Sequence, residues 1–74
     1  MSNPPRFVEV RAVPIDLCQF IKFAGLAPTG GEAQMWISVG EVKLNGAVET
    51  RKRKKLFAGD RVELRGETII VKLP

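Results

Sequence analysis

The chain has 74 residues, a net charge of +4 and a sequence pI near 9.7, with 45% hydrophobic and 27% charged residues. That length suits one domain near the lower limit for a chain that buries a core unaided, and the composition is that of a folded soluble domain, not a disordered tail. One cysteine and no histidine exclude an internal disulfide and a Cys/His zinc site, and they remove the usual base of acid–base and triad catalysis.

No apolar run approaches the roughly 20 residues that span a bilayer, and residues 1–5 lack the apolar run of a signal peptide. The expectation is a cytoplasmic domain with no membrane association, no metal, no cofactor and no small-molecule substrate. Cys18 reads as a buried, inert thiol, which suits a reducing compartment.

Residues 1–5, with two prolines, form a loose lead. Arg6-Phe7-Val8-Glu9-Val10-Arg11 alternates as an edge strand, and Pro14 breaks it. The first helix starts at Asp16, an N-cap with Gln19 completing a capping box and with Ile15 and Phe20 placed as a hydrophobic staple. Leu17, Phe20, Ile21 and Ala24 make its apolar face, and Gly25 sits where a left-handed C-terminal residue is wanted. Lys22 projects from the other side, either as a solvated lysine or as an auxiliary phosphate contact. Thr29 and Glu32 form a second capping box, so helix two starts near Gly30. Ala33, Trp36 and Ile37 face the core, and Gly40 stops the helix. Gly30 and Gly31 in its first turn either admit a phosphate close to the backbone or pack against helix one.

After Gly40 the apolar period changes from 3.6 to 2. Val42 and Leu44 alternate with Glu41 and Lys43, and Asn45-Gly46 predicts a type I′ hairpin turn. Ala47, Val48 and Thr50 lead into Arg51-Lys52-Arg53-Lys54-Lys55, and Ala58-Gly59-Asp60 turns the chain back. Val62 and Leu64 alternate with charged residues, and Gly66-Glu67 turns into a last strand over 68–73. The fold class is α+β, a two-helix hairpin packed on a small, mostly antiparallel twisted sheet, in a single domain over 1–74.

Five of the twelve basic residues lie at 51–55, and the other seven face eight acids. The protein is positive because of one segment. Dense mixed Arg and Lys suits a phosphate backbone, Arg as a bidentate fork and Lys as a point charge. Nucleic acid is therefore the first expected partner and an anionic membrane surface the second. An extended run would put Arg51, Arg53 and Lys55 on one side and Lys52 and Lys54 on the other. With about four phosphate contacts on single-stranded RNA, log K falls with log salt at a slope of about −3. A stacking platform needs exposed aromatics beside basic residues; Trp36 and Phe20 read as core, and no stacking residue is assigned. The sequence has neither a phosphate-binding Gly-rich loop nor a nucleotide-binding glycine fingerprint, and it is read as non-enzymatic. The alternative is a protein-interaction module whose basic arm docks on an acidic partner beside exposed apolar side chains such as Met35 or Phe57.

Leu17-x-x-Phe20-Ile21-Lys22, then Thr29-x-x-x-Ala33-x-x-x-Ile37-x-x-Gly40-x-Val42-x-Leu44-Asn45-Gly46, then Gly59-Asp60-x-Val62 resembles the RNA-binding domain named after small-subunit ribosomal protein S-four. That domain carries the alpha-L motif, two helices and a following β-hairpin that dock on structured RNA. The resemblance covers 17–64, with a motif core of 16–64, and extends to short stand-alone bacterial proteins of the YbcJ type, which share Phe-Ala-Gly-Leu and the basic run. It implies a structured RNA partner, rRNA or tRNA, held by Arg51, Lys52, Arg53, Lys54 and Lys55, with Lys43, Asn45 and Gly46 matching the hairpin and Lys22 matching helix one. Asn45 and Gly46 also read as turn formers. Where the family often has Ser-Arg at the start of helix two, this chain has Thr29-Gly30-Gly31-Glu32, so the basic run is the expected substitute.

Overall fold

In the computed structural model residues 4–74 are described; the loose lead expected over 1–5 falls mostly outside them. The chain forms β1 (Arg6–Glu9), β2 (Ile15–Asp16), α1 (Leu17–Phe23), α2 (Gly30–Ser38), β3 (Val42–Leu44), β4 (Ala47–Val48), β5 (Lys55–Leu56), β6 (Arg61–Leu64) and β7 (Glu67–Lys72). Strands β1-β7-β6-β3-β4 lie side by side in one sheet; every neighbouring pair is antiparallel except β1 and β7. Strands β2 and β5 make a separate antiparallel ribbon, Ile15 against Leu56 and Asp16 against Lys55.

Strand alternation sorts the sheet into two faces. Val8, Val42, Val62, Leu64, Ile69 and Val71 are buried together with Leu17, Phe20, Ile21, Ala33 and Ile37 of the helices. Phe7, Lys43 and Arg61, one residue out of phase, are exposed on the far face. Trp36 is only half-buried, at the margin of this core, with the Arg65 guanidinium 4.8 Å from its ring centre. That position combines a cation–π contact with apolar burial.

Both helices end in the same way. Gly25 and Gly40, each at φ 82°, stand one residue past the C-cap. Around each, two successive N–H groups reach back to helix carbonyls: Gly25 to Lys22 and Leu26 to Ile21, Gly40 to Ile37 and Glu41 to Trp36. This is the Schellman pattern, which the absence of a Cβ makes inexpensive. At the start of α2 the Thr29 hydroxyl accepts from the Glu32 N–H at 3.1 Å, as its spacing implied.

The first helix departs from expectation. Asp16 is in the N-cap position, but its side chain makes no cap bond; it accepts from Lys55 Nζ instead. The Asp16–Gln19 capping box is therefore replaced by backbone from elsewhere, the Lys54 and Lys52 carbonyls taking the Leu17 and Cys18 N–H groups at 2.9 and 3.0 Å. The basic run is correspondingly not extended. A turn closed by Lys54 N–H on Arg51 O at 3.1 Å interrupts it, and only Lys55 enters a strand. The return strand β4 is two residues long, and the last hairpin turns at Arg65-Gly66, one residue before the expected place.

Asn45-Gly46 has the two positive φ values, 51° and 87°, of a type I′ turn. The Asn45 side chain also ties two distant motif pieces together. Its Nδ2 donates to Asp60 Oδ1 at 3.1 Å, and its Oδ1 accepts from the Arg61 N–H at 3.0 Å. Asp60 Oδ2 in turn accepts from the Phe57 N–H at 2.8 Å.

Asp60→Ala leaves the Asn45 amide and the Phe57 N–H to water and is expected to cost about 1–2 kcal/mol in urea unfolding. Phe20 is fully buried, and Phe20→Ala should cost about 3–5 kcal/mol. A core of this size supplies a net stability of about 3–5 kcal/mol, so that variant should show no cooperative thermal transition.

Candidate nucleic-acid interface

The basic run is held from both ends and from its middle. Leu56, fully buried, fixes its C-terminal end in the core. The carbonyls of Lys52 and Lys54 are consumed by the first N–H groups of α1, groups that no helix can satisfy internally. With the backbone bound inward, the side chains turn out: Arg51, Lys52, Arg53 and Lys55 are exposed and Lys54 half-exposed. Cations beside a helix N-terminus meet the positive end of its dipole, and Asp16 at that end offsets part of this.

The five cations are not equivalent. Arg51 makes a two-pronged pair with Glu49, Nε to Oε2 at 3.0 Å and Nη2 to Oε1 at 3.2 Å, and its own N–H adds a third bond to Oε2 at 3.0 Å. These bonds hold the Glu49 carboxyl well below the usual range, at about 2, and raise Arg51. Lys55 is paired with Asp16. Lys52 Nζ stands 3.5 Å from Gln34 Oε1, a long contact to an uncharged acceptor. Arg53 and Lys54 have no hydrogen-bond or ion-pair partner for their side chains among the described residues. Arg53, Lys54 and Lys52 are therefore the cations ready for an external anion.

Two hollows flank Arg53. One, of about 290 Å³, lies between α1 and the start of α2, where Asp16, Gln19, Lys22, Gly30 and Gln34 join Arg53. The other, of about 430 Å³, is lined by Arg51, Arg53, Lys54, Lys55 and the exposed Phe57. A Cβ on Gly30 would meet nothing within 4 Å, and on Gly31 only the Thr29 hydroxyl at 3.9 Å. These glycines do not pack against α1; they leave the start of α2 open.

The structure thus brings Lys22 to the basic run. Lys43 is elsewhere, on the far face of the sheet between Glu63 and Val48. Asn45 and Gly46 line a separate hollow with Arg61 and Glu63, and the Asn45 amide is engaged by Asp60 and Arg61. Gln19, Gln34 and Phe57 were not assigned to RNA from sequence; Gln19 was read as a capping residue and Phe57 as an apolar contact for a protein partner. Gln19 and Lys22 lie one helical turn apart, a spacing that places them on one face. The position of Gln34 over the run depends on long-range packing that spacing does not show. Cys18 is buried, as expected. Among the described residues no cluster of three or more His, Cys, Asp or Glu side chains forms, and no helix is long and apolar enough to cross a membrane.

A family model described as S4 domain matches residues 8–72. YbcJ of Escherichia coli (strain K12) is 42% identical over 57 residues, 77% of this chain and 81% of that protein. A Bacillus subtilis (strain 168) protein named "Probable ribosome maturation protein RlbA" is 36% identical over 66 residues, 89% of each. The solution structure of YbcJ from E. coli, described as revealing an alpha-L motif involved in RNA binding, superposes with a TM-score of 0.68 at 40% identity over 96% of this chain and 90% of that one. The match takes in β1 and β7 as well as the two helices and the hairpin, and with it this chain belongs to the S4 domain family.

Proposed function

We propose that the protein is a non-catalytic RNA-binding module that grips backbone phosphates of a structured RNA of the ribosome or of tRNA. The observation that carries this reading is the placement of the basic run: the Lys52 and Lys54 carbonyls face α1, its side chains face solvent, and Arg53 shares a hollow with Lys22 beside the open start of α2. The names of the relatives, an alpha-L motif involved in RNA binding and a ribosome maturation protein, support the same partner. The principal contacts are Arg53, Lys54, Lys52 and Lys22. Arg51 and Lys55 contribute after release from Glu49 and Asp16, and Lys43 meets RNA only where the RNA reaches around the sheet. Specificity comes mainly from RNA shape, since these side chains suit phosphates better than base edges.

The test is salt-dependent binding of the purified protein to a structured RNA and to duplex DNA of equal length. The expected outcome is preference for RNA with a log–log slope of about −3, the value for four phosphate contacts on single strands. Binding to neither at about 50 mM salt, where electrostatic contacts are strong, would sink this reading and leave the run as an arm for an acidic protein.

Arg53→Glu should weaken RNA binding by roughly tenfold or more and flatten the salt slope, with an unchanged thermal midpoint because the Arg53 side chain bonds nothing among the described residues. Glu49→Gln frees Arg51 and should tighten binding and steepen the slope by about 0.7, one added contact. The same variant tests the ion pair by pH. Glu49 titrates at about 2 in the folded protein against 4.5 ordinarily. Its stabilisation is therefore complete above pH 4.5 and is lost as pH falls toward 2. Thermal melts over that range should decline less steeply for Glu49→Gln than for the native chain.

A further inference from the structure

The hollow at Phe57 joins an exposed aromatic ring to four cations. Phe57 is 53% exposed and shares that hollow with Arg51, Arg53, Lys54 and Lys55. Exposed single apolar side chains are ordinary; an exposed aromatic ring ringed by cations is the arrangement that single-stranded nucleic acid uses, a π-face for a base and positive charge for its phosphates. We propose that Phe57 is a stacking platform for one unpaired base, so that the RNA taken by this protein carries a bulged or looped-out nucleotide next to the helical segment held by the basic run. The inference rests on the RNA-binding reading above and adds the kind of RNA.

Three further observations favour a base as the occupant. The backbone that carries the ring is preorganised: Leu56 beside it is fully buried, the Phe57 N–H donates to Asp60 Oδ2 at 2.8 Å, and the Asp60 N–H returns to the Phe57 carbonyl at 3.1 Å. That turn is fastened to β7 on both sides, through Gly59 N–H on Val71 O at 2.8 Å and Val71 N–H on Asp60 O at 3.0 Å. A platform whose backbone is already fixed binds with less entropic cost of ordering. The cations beside it include Arg53 and Lys54, whose side chains make no hydrogen bond or ion pair among the described residues. A phosphate on either side of a stacked base thus has a cation within the same hollow. The volume, about 430 Å³, falls in the range of small-ligand sites. An uncharged apolar segment would meet four cations, of which Arg53 and Lys54 are in no ion pair among the described residues; a nucleotide meets complementary charge.

The experiment compares a hairpin RNA containing one bulged 2-aminopurine with the same hairpin lacking the bulge. Both bind the native protein and Phe57→Ala in titrations at several salt concentrations. The native protein should prefer the bulged RNA, and 2-aminopurine emission should be quenched on binding. Phe57→Ala should weaken binding to the bulged RNA by about tenfold, abolish the quenching and leave both the salt slope and binding to the fully paired hairpin unchanged. Phe57→Trp should restore preference and quenching, which a merely structural role of the side chain would not predict. Equal native binding to both RNAs, unaffected by Phe57→Ala, overturns the platform while leaving the phosphate-gripping function intact. Native binding to neither RNA overturns the function itself.

Discussion

Two backbone hydrogen bonds, from Leu17 and Cys18 to the carbonyls of Lys54 and Lys52, determine how the whole surface is presented. A helix of seven residues begins with N–H groups that require acceptors. In this protein the acceptors come from a segment more than thirty positions away in sequence, and that segment carries the density of positive charge. Helix start and cationic loop are consequently one unit. The loop cannot collapse inward without uncapping the helix, and the helix cannot fray without releasing the loop. The short ribbon of β2 and β5, with Asp16 and Lys55 opposite each other, closes the same unit from the other side.

The sheet is the counterweight. Its core face, filled by Val42, Val62, Leu64, Ile69 and Val71, holds the helices in place, and its turns hold the ends of the basic run. Asp60 is central here. One carboxylate oxygen serves the Asn45 amide and the other the Phe57 N–H, so the first hairpin and the turn behind the run share a single side chain. The Asn45–Asp60 bond joins the two motif pieces Leu44-Asn45-Gly46 and Gly59-Asp60. For Asn45 and Gly46 the structure thus displays a turn-forming role in full, independent of any ligand.

Much of this was legible in the residues alone. Both helices, their glycine stops, the Thr29 cap, the Asn45-Gly46 hairpin and the alternation of β6 follow from local rules of spacing and turn chemistry. The capping of α1 was not legible, because Asp16 is a good local cap whose carboxylate finds a stronger partner in Lys55, a charged donor far along the chain. The conformation of residues 51–55 was not legible for a related reason: five like charges carry no periodicity, and the turn among them is held against α1. Uneven availability of the cations was equally hidden. Glu49 two residues before Arg51 is visible in sequence, but its three bonds to that residue depend on the bend of the chain after β4. Lys22 could be associated with the run only once the helices had a position, whereas Lys43 required the strand register that sends it to the opposite face.

Trp36 gives the fold a built-in optical gauge. It is the single indole of the chain, and it lies under the Arg65 guanidinium where α2 meets the β6–β7 turn. It lines neither of the hollows beside Arg53. Its emission therefore follows the seating of α2 on the sheet, whereas anything that docks at the cationic end is read by a different signal. In one cuvette, unfolding and binding can be followed as separate colours of the same sample.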